Sequence, residues 1–297
     1  MGELAACFAM SHAPQVMIDP DNWPKINVPR DNGPLAPELQ NLTLETQWER
    51  WNRCMDAVRQ IREKLDEVKP DTVIVVGDDQ NENLRPDGGM PPFTLFIGEE
   101  ADASWSLKYL DQSQQDNRPT YKVDHELGMS IIDQLMDAGF DPVYAKSTRY
   151  EAGLGHAFAR VLKHLTPEAN YSVLPIMVNT YYPPAPSARR CVQFGQALAK
   201  SIAGFAGDRK VVIVGSGGLS HTDIDLDLDH GFVKSLETND TEFMEEIPEK
   251  KFRGGTSEIK CWIVTAAAAG RPVSMVEYQP LPRAPWGAGV GMGFAIW

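Results

Sequence analysis

The chain has 297 residues, 42% of them apolar and 23% charged, which is enough length and apolar content to bury the core of one large domain. Asp and Glu number 41 against 28 Lys and Arg, a formal net charge of -13, so the basic surface that a nucleic-acid phosphate backbone requires is not expected. The longest apolar runs are strand-sized, far below the ~20 residues of a membrane span, and the N-terminal segment lacks the basic region and small-residue cleavage site of a secretory leader. The expectation is a cytoplasmic protein with neither nucleic acid nor membrane as a partner.

The first apolar run, Leu4 to Met10, ends in Ser11-His12. After a Pro- and Asn-rich stretch, Pro14 to Gln40, the segment Asn41 to Val68 carries Trp51, Met55, Val58, Ile61, Leu65 and Val68 three or four apart. Glu49, Arg53, Arg59, Glu63 and Lys64 take the other side, so the spacing predicts an amphipathic helix stopped by Lys69-Pro70. Thr72 to Val76 is a second run, closing on Gly77-Asp78-Asp79-Gln80. Beyond the irregular segment Asn83 to Asn117, helices are predicted over Glu126 to Ala138, Ala157 to Leu165, Ala188 to Phe205 and Ser257 to Ala269. Further apolar runs lie at Val173 to Val178 and Val211 to Val214. Short runs rich in Val and Ile suit strands buried on both faces of a sheet.

Strand and helix in alternation predict an α/β fold, a single domain over 1–297 with a central, mostly buried β-sheet flanked by helices. Three segments rich in Pro, Gly, Asp and Asn interrupt the alternation: Pro14 to Gln40, Asn83 to Asn117 and Thr222 to Arg253. They read as long binding loops, lids or partner surfaces. The glycine-rich tail, Gly287 to Gly293, has neither dinucleotide-binding spacing nor a following helix and is given a structural role. Cys7, Cys54, Cys191 and Cys261 are scattered with no C-x-x-C pair, which predicts reduced, mostly buried thiols.

Two of the six histidines follow predicted strands: His12 directly, and His221 after the turn Gly215-Ser216-Gly217-Gly218-Leu219-Ser220. Ligands of open α/β sheets bind at the carboxyl ends of strands, so both stand where a site would be. The glycine turn lacks the Gly-Lys-Ser/Thr of a P-loop, the third Gly of a dinucleotide fingerprint and the closing Gly of a nucleophile elbow. Glu258 opens an otherwise apolar helix and has two readings, a helix-dipole partner in the first turn or a metal ligand. With two imidazole-bearing loops it would make a facial arrangement that leaves positions open on non-haem Fe(II).

Five segments in order then carry a resemblance: Ser11-His12-Ala13-Pro14, Gly77-Asp78-Asp79-Gln80, Val178-Asn179-Thr180-Tyr181 with Pro183-Pro184, Gly217-Gly218-Leu219-Ser220-His221, and Thr256-Ser257-Glu258 before an apolar helix. Together they resemble the class III extradiol ring-cleavage dioxygenases, the superfamily of the protocatechuate 4,5-dioxygenase β-subunit. The resemblance implies a mononuclear Fe(II) centre, with Mn(II) as the alternative, that uses O2 to cleave a small catechol-like ring beside its hydroxyls. Protocatechuate- or gallate-like rings, methoxylated catechols and aminophenols belong to that class. Carried over by position, His12 and Glu258 correspond to metal ligands, His221 to the acid-base histidine, and His156 to a histidine near the active site. Where the family has a second histidine ligand, this chain has Gln80. Three alternatives stand: ligation through the Gln80 amide oxygen, a carboxylate supplied by Glu82 or Asp79, or a weakly held or missing metal. The last would make the chain an accessory paralogue. The resemblance also implies association, as a homo-oligomer or with a small partner subunit. Tyr181 and Tyr182 are candidates for an aromatic-lined pocket, or simply for a structural turn.

Overall fold

The computed structural model describes residues 1–26, 36–40, 42–104, 118–282 and 288–297. Along the chain, β1 (Gly2–Met10) leads to α1 (Leu44–Val68), β2 (Thr72–Gly77), β3 (Phe93–Phe96), β4 (Glu100–Asp102), β5 (Thr120–Lys122) and α2 (His125–Asp137). There follow β6 (Val143–Ala145), α3 (His156–Leu165), β7 (Ser172–Val178), α4 (Ala188–Ala203), β8 (Arg209–Ser216) and β9 (His221–Asp223). The chain closes with α5 (Leu226–Thr238), α6 (Thr241–Glu246), α7 (Ile259–Ala269), β10 (Met275–Pro282) and β11 (Ala288–Ile296).

The four apolar runs foreseen as strands become β1, β2, β7 and β8, which lie side by side and parallel in the order β1-β8-β2-β7. The sheet is mixed, because β11 runs antiparallel to β1 and β3 antiparallel to β7. Beyond them β10 and β6 form the edges, and β9 pairs with β11. Every residue of β2 is buried, as expected of a strand covered on both faces, where each buried Val or Ile contributes ~1.5–3 kcal/mol. A Cβ on Gly77 would meet Ala157 and Phe158 of α3, whereas one on Gly215 would meet Thr265 of α7. These two helices therefore cover the sheet from opposite sides, α1 packing with α3 and α4 with α7. The result is a single α/β domain with a central mixed sheet flanked by helices.

Boundaries follow local chemistry. Helix α1 begins at Leu44 because the Thr43 hydroxyl accepts from Thr46 N at 3.1 Å, and it ends where Lys69 turns left-handed, φ 51°, before Pro70. Asn41, the expected start, lies outside the described residues. The expected loop over Thr222 to Arg253 is a correction: it holds β9, α5 and α6. Asp225 accepts from Leu228 N and Asp240 from Phe243 N, while Asn239 takes a left-handed φ of 54° between the helices. The Asp and Asn residues that read as loop formers are helix caps. The segment Asn83 to Asn117 likewise contains β3 and β4, with 105–117 outside the described residues. In Pro14 to Gln40 the described parts form three 3-10 turns that bury Trp23, Ile26 and Leu39. Of the glycine-rich tail, Gly287 lies outside the described residues and the remainder is part of β11. The predicted helix at Ser257 starts as a 3-10 turn, Gly254–Glu258, and becomes α-helical at Ile259. All four cysteines are buried free thiols, as expected. Among the described residues no helix is long and apolar enough to cross a membrane.

Helix α7 is positioned by a close approach. A Cβ on Gly195 of α4 would lie 2.1 Å from the Val264 carbonyl oxygen of α7. Gly195→Ala, which on helix propensity alone would gain ~1 kcal/mol, is expected instead to lose about 1–3 kcal/mol through overpacking. The midpoint of chemical denaturation measures the sign.

Candidate active site

Parallel strands carry their C-terminal ends to one edge of the sheet, so the residues that follow β1, β2, β7 and β8 converge there. His12 follows β1 and is buried. Its Nδ1 lies 2.9 Å from the hydroxyl of Ser216, the last residue of β8, and that hydroxyl donates to the Ala157 carbonyl at 2.5 Å. Ser216 has spent its proton, so it accepts from His12 Nδ1–H, and the lone pair of a neutral His12 sits on Nε2. Burial drives His12 down to about 3, which keeps the ring neutral at physiological pH.

His12 Nε2 lies 3.6 Å from Glu258 Oε2. Glu258 stands at the start of α7 but makes no cap to its own helix. Its carboxylate turns instead to the strand ends, where Oε2 accepts from Gly218 N at 3.0 Å and Oε1 accepts from Gln80 Nε2 at 2.9 Å. His221 Nε2 is 3.3 Å from Oε1. Burial opposes the charge of Glu258, but His221 and then His12 outweigh it and hold the carboxyl down to about 2. The Gly218 and Gln80 N–H groups donate to the carboxylate whatever the charge of the imidazoles.

Asp78, the residue after β2, stands beside the expected candidates Asp79, Gln80 and Glu82 but carried no signal of its own in the sequence. It is 1% exposed, and among the described residues neither carboxylate oxygen has a hydrogen-bond partner. Donor atoms of His12, Asp78 and Glu258 all lie within 4.8 Å of one another. Burial, and next the charge of Glu258, push the Asp78 carboxyl well above the ordinary range, against a smaller opposing pull from the nearby Gln80 amide.

The remaining candidates surround this group. Gln80 presents its amide N–H to Glu258. Asp79 is occupied in the turn, accepting from Asn83 N and Leu84 N. Glu82 accepts from His156 N with both oxygens and lies 3.0 Å from His156 Nδ1. The structure thus places Glu82 on His156. The His156 ring meets the His12 ring edge-on, with centroids 5.0 Å apart. Burial works against the Glu82 charge, but the hydrogen bond from His156 and its charge lower the carboxyl below its usual value.

His221 is held from three directions. Its Nδ1 lies 2.9 Å from the Leu219 carbonyl, which fixes that nitrogen as the donor. Its backbone N–H donates to the Thr256 hydroxyl at 2.9 Å, and Gly255 lies against the ring, where a Cβ would stand 1.8 Å from Cδ2. The His221 and His156 side chains are 14% and 24% exposed against 4% for His12 and 1% for Glu258, so a molecule approaching from solvent meets the first two before the buried pair. The Tyr181 and Tyr182 rings stand 5.9 Å apart, with the Tyr182 hydroxyl bonded to Asn81 Nδ2 and the Tyr181 hydroxyl beside Gly254. A cleft of about 610 Å³ at the opposite end of the strands, lined by Asp71, Ser172 and Arg209, is remote from these groups.

Comparison with known proteins matches residues 36–278 to the family described as the catalytic LigB subunit of aromatic ring-opening dioxygenase. Two curated relatives are named 2,3-dihydroxyphenylpropionate/2,3-dihydroxicinnamic acid 1,2-dioxygenase. The one from Photorhabdus laumondii is 25% identical over 55% of this chain and 47% of its own length. The one from Pseudomonas putida is 29% identical over 56% of this chain and 48% of its own. The chain spans about half the length of these relatives. A crystal structure of an uncharacterised Escherichia coli K12 protein shares the fold at TM-score 0.52 and 14% identity, covering 98% of this chain and 99% of the other.

Two measurements test the local geometry. Gly255→Ala is expected to displace the His221 ring and break its bond to Leu219, seen as a change in the imidazole nitrogen shifts by NMR without loss of the fold. Because the Glu82 carboxyl is lowered on folding, its stabilisation is present above its ordinary value of 4.5 and fades as pH falls through the lowered one. Glu82→Gln is therefore expected to reduce stability at neutral pH and to flatten the fall in unfolding free energy on the acid side.

Proposed function

This chain belongs to the family of catalytic LigB subunits of aromatic ring-opening dioxygenases, and on that premise we propose that it is a metal-dependent extradiol dioxygenase that opens a catechol-like ring with O2. The observation that carries the reading is one buried carboxylate, Glu258, facing two imidazole Nε2 atoms, His12 at 3.6 Å and His221 at 3.3 Å. A neutral imidazole with its lone pair free on Nε2 and an ionised carboxylate in a dry setting suit a divalent cation. His12 and Glu258 would hold that ion, Fe(II) with Mn(II) as the alternative, which when bound supplies Lewis acidity and the one-electron chemistry by which O2 reacts with an aromatic ring.

His221 moves the proton. With Nδ1–H committed to the Leu219 carbonyl, only Nε2 can exchange. Imidazole is the side chain suited to taking a proton from a substrate hydroxyl and returning it as the ring opens. Glu258 beside Nε2 stabilises the imidazolium that forms in between. His156 has its Nδ1 on Glu82, which leaves Nε2 as its exchangeable nitrogen and makes it the second group to orient a hydroxyl. Burial of His12 and Glu258 keeps water from the reacting ring.

The substrate class is a small catechol, and the names of the relatives make a side-chain-bearing one, such as a dihydroxyphenyl-propanoid, the first to test beside protocatechuate, gallate and aminophenols. The reading places the enzyme in the cytoplasm, as a homo-oligomer or with a small partner subunit.

Anaerobic purification with metal analysis, followed by oxygen uptake on that panel, tests the reading. Near-stoichiometric iron or manganese and uptake coupled to a yellow ring-opened semialdehyde are expected, with His221→Ala lowering kcat by about 100-fold or more. A chain that neither retains nor takes up metal and consumes no oxygen with any of these rings would instead be an accessory paralogue.

A further inference from the structure

We propose that Asp78 is the third protein ligand of the metal centre, in place of Gln80 or Glu82, so that the site is built from one imidazole and two carboxylates and takes a hard divalent cation. The inference rests on the metal-dependent reading of the site.

The buried acids among the described residues isolate Asp78. Asp79 accepts from two backbone N–H groups, Asp124 from the Thr72 hydroxyl, Leu127 N and Arg209 Nε, and Asp229 from Ser220 N and the hydroxyls of Ser220 and Tyr278. Glu258 accepts from Gly218 N and Gln80 Nε2. Asp78 alone has both oxygens buried without a hydrogen bond of good geometry, the nearby Gln80 amide donating to Glu258 instead. A buried carboxylate that no hydrogen bond or cation supports is strongly disfavoured, and such orphaned groups persist where a ligand satisfies them.

The orphaned oxygens also point to the right place. Donor atoms of Asp78, Glu258 and His12 lie within 4.8 Å of one another, close to the spread of three ligands around one ion with bonds of ~2.0–2.3 Å. Two carboxylates so near repel each other, and a divalent cation between them removes the repulsion. The competing groups are already engaged. Gln80 turns an N–H, which cannot ligate, towards Glu258 and so holds that carboxylate in place. Glu82 is occupied by the backbone and ring of His156. Exchanging an imidazole for a carboxylate makes the donor set richer in oxygen and more negative, which shifts preference towards Mn(II) and Fe(II) relative to an imidazole-rich site.

The test is an anaerobic titration of the metal-free chain with Mn(II), following the EPR signal of the free ion, together with thermal unfolding with and without metal. Wild type is expected to bind one Mn(II) per chain. Asp78→Asn and Glu258→Gln are expected to weaken binding by about 100-fold or more, Gln80→Ala by about tenfold, the scale of a residue that orients a ligand, and Glu82→Gln hardly at all. Metal-free Asp78→Asn is expected to melt at or above the wild-type temperature and to lose the rise that Mn(II) gives wild type. Wild-type affinity in Asp78→Asn alongside lost affinity in Glu258→Gln would overturn the assignment and leave the metal-dependent reading standing. A metal-free Asp78→Asn that melts well below wild type would assign Asp78 a structural role and overturn it too. No binding of Mn(II) or Fe(II) by wild type would overturn both.

Discussion

The buried charge of Glu258 is the constraint around which this end of the molecule is organised. A carboxylate at 1% exposure survives in the apolar interior only if polar groups support it, and here they come from four separate parts of the chain. Gly218 N–H donates from the turn after β8 and Gln80 Nε2–H from the turn after β2, while the imidazoles of His12, at the end of β1, and His221, at the start of β9, stand 3.6 and 3.3 Å away. Moving any of these segments by an ångström leaves a buried charge unsupported. The strand ends and turns are therefore tied together by this one buried carboxylate.

The sheet supplies the convergence and the helices the rigidity. Parallel β1, β8, β2 and β7 bring their ends to one edge, and the buried faces on both sides leave few ways for them to slide. Helix α7 delivers Glu258 from the far side of the sheet, pressed into place by α4 through the gap at Gly195. Around the charge the two imidazoles share one tautomer and differ in depth. His12, fixed through Ser216 and buried, offers a lone pair, while His221, fixed through Leu219 and partly exposed, offers an exchangeable proton position. The proposed roles, binding for His12 and proton transfer for His221, follow from that difference in depth rather than from the ring itself.

Much of the architecture was legible in the residues. The four Val- and Ile-rich runs and the 3.6-residue periodicity of α1 and its fellow helices mark elements whose burial repeats along the chain, and strands buried on both faces leave little choice but a layered α/β fold. What misled was composition. Asp225, Asn239 and Asp240 read as loop formers, yet the side chains that break helices in mid-segment are the ones that cap them at their ends. The short strands β3 to β6 carry too few residues for a period to show.

At the site, the sequence alone determined which chemical groups are available: His12 and His221 after apolar strands, Glu258 ahead of an apolar helix, and a polar turn after β2 without a histidine. It determined these because strand ends and helix starts are local properties, set by residues close together in the chain. Only the tertiary structure decided which acid in that polar turn faces the other donors. Asp78, Asp79, Gln80 and Glu82 are near neighbours in sequence, but the turn sends Asp79 to its own backbone, Gln80 to Glu258, Glu82 to His156 and Asp78 into the buried cluster. Their partners lie up to about 180 residues away, and a side chain's direction within a turn is fixed by what packs around it, which no local pattern encodes.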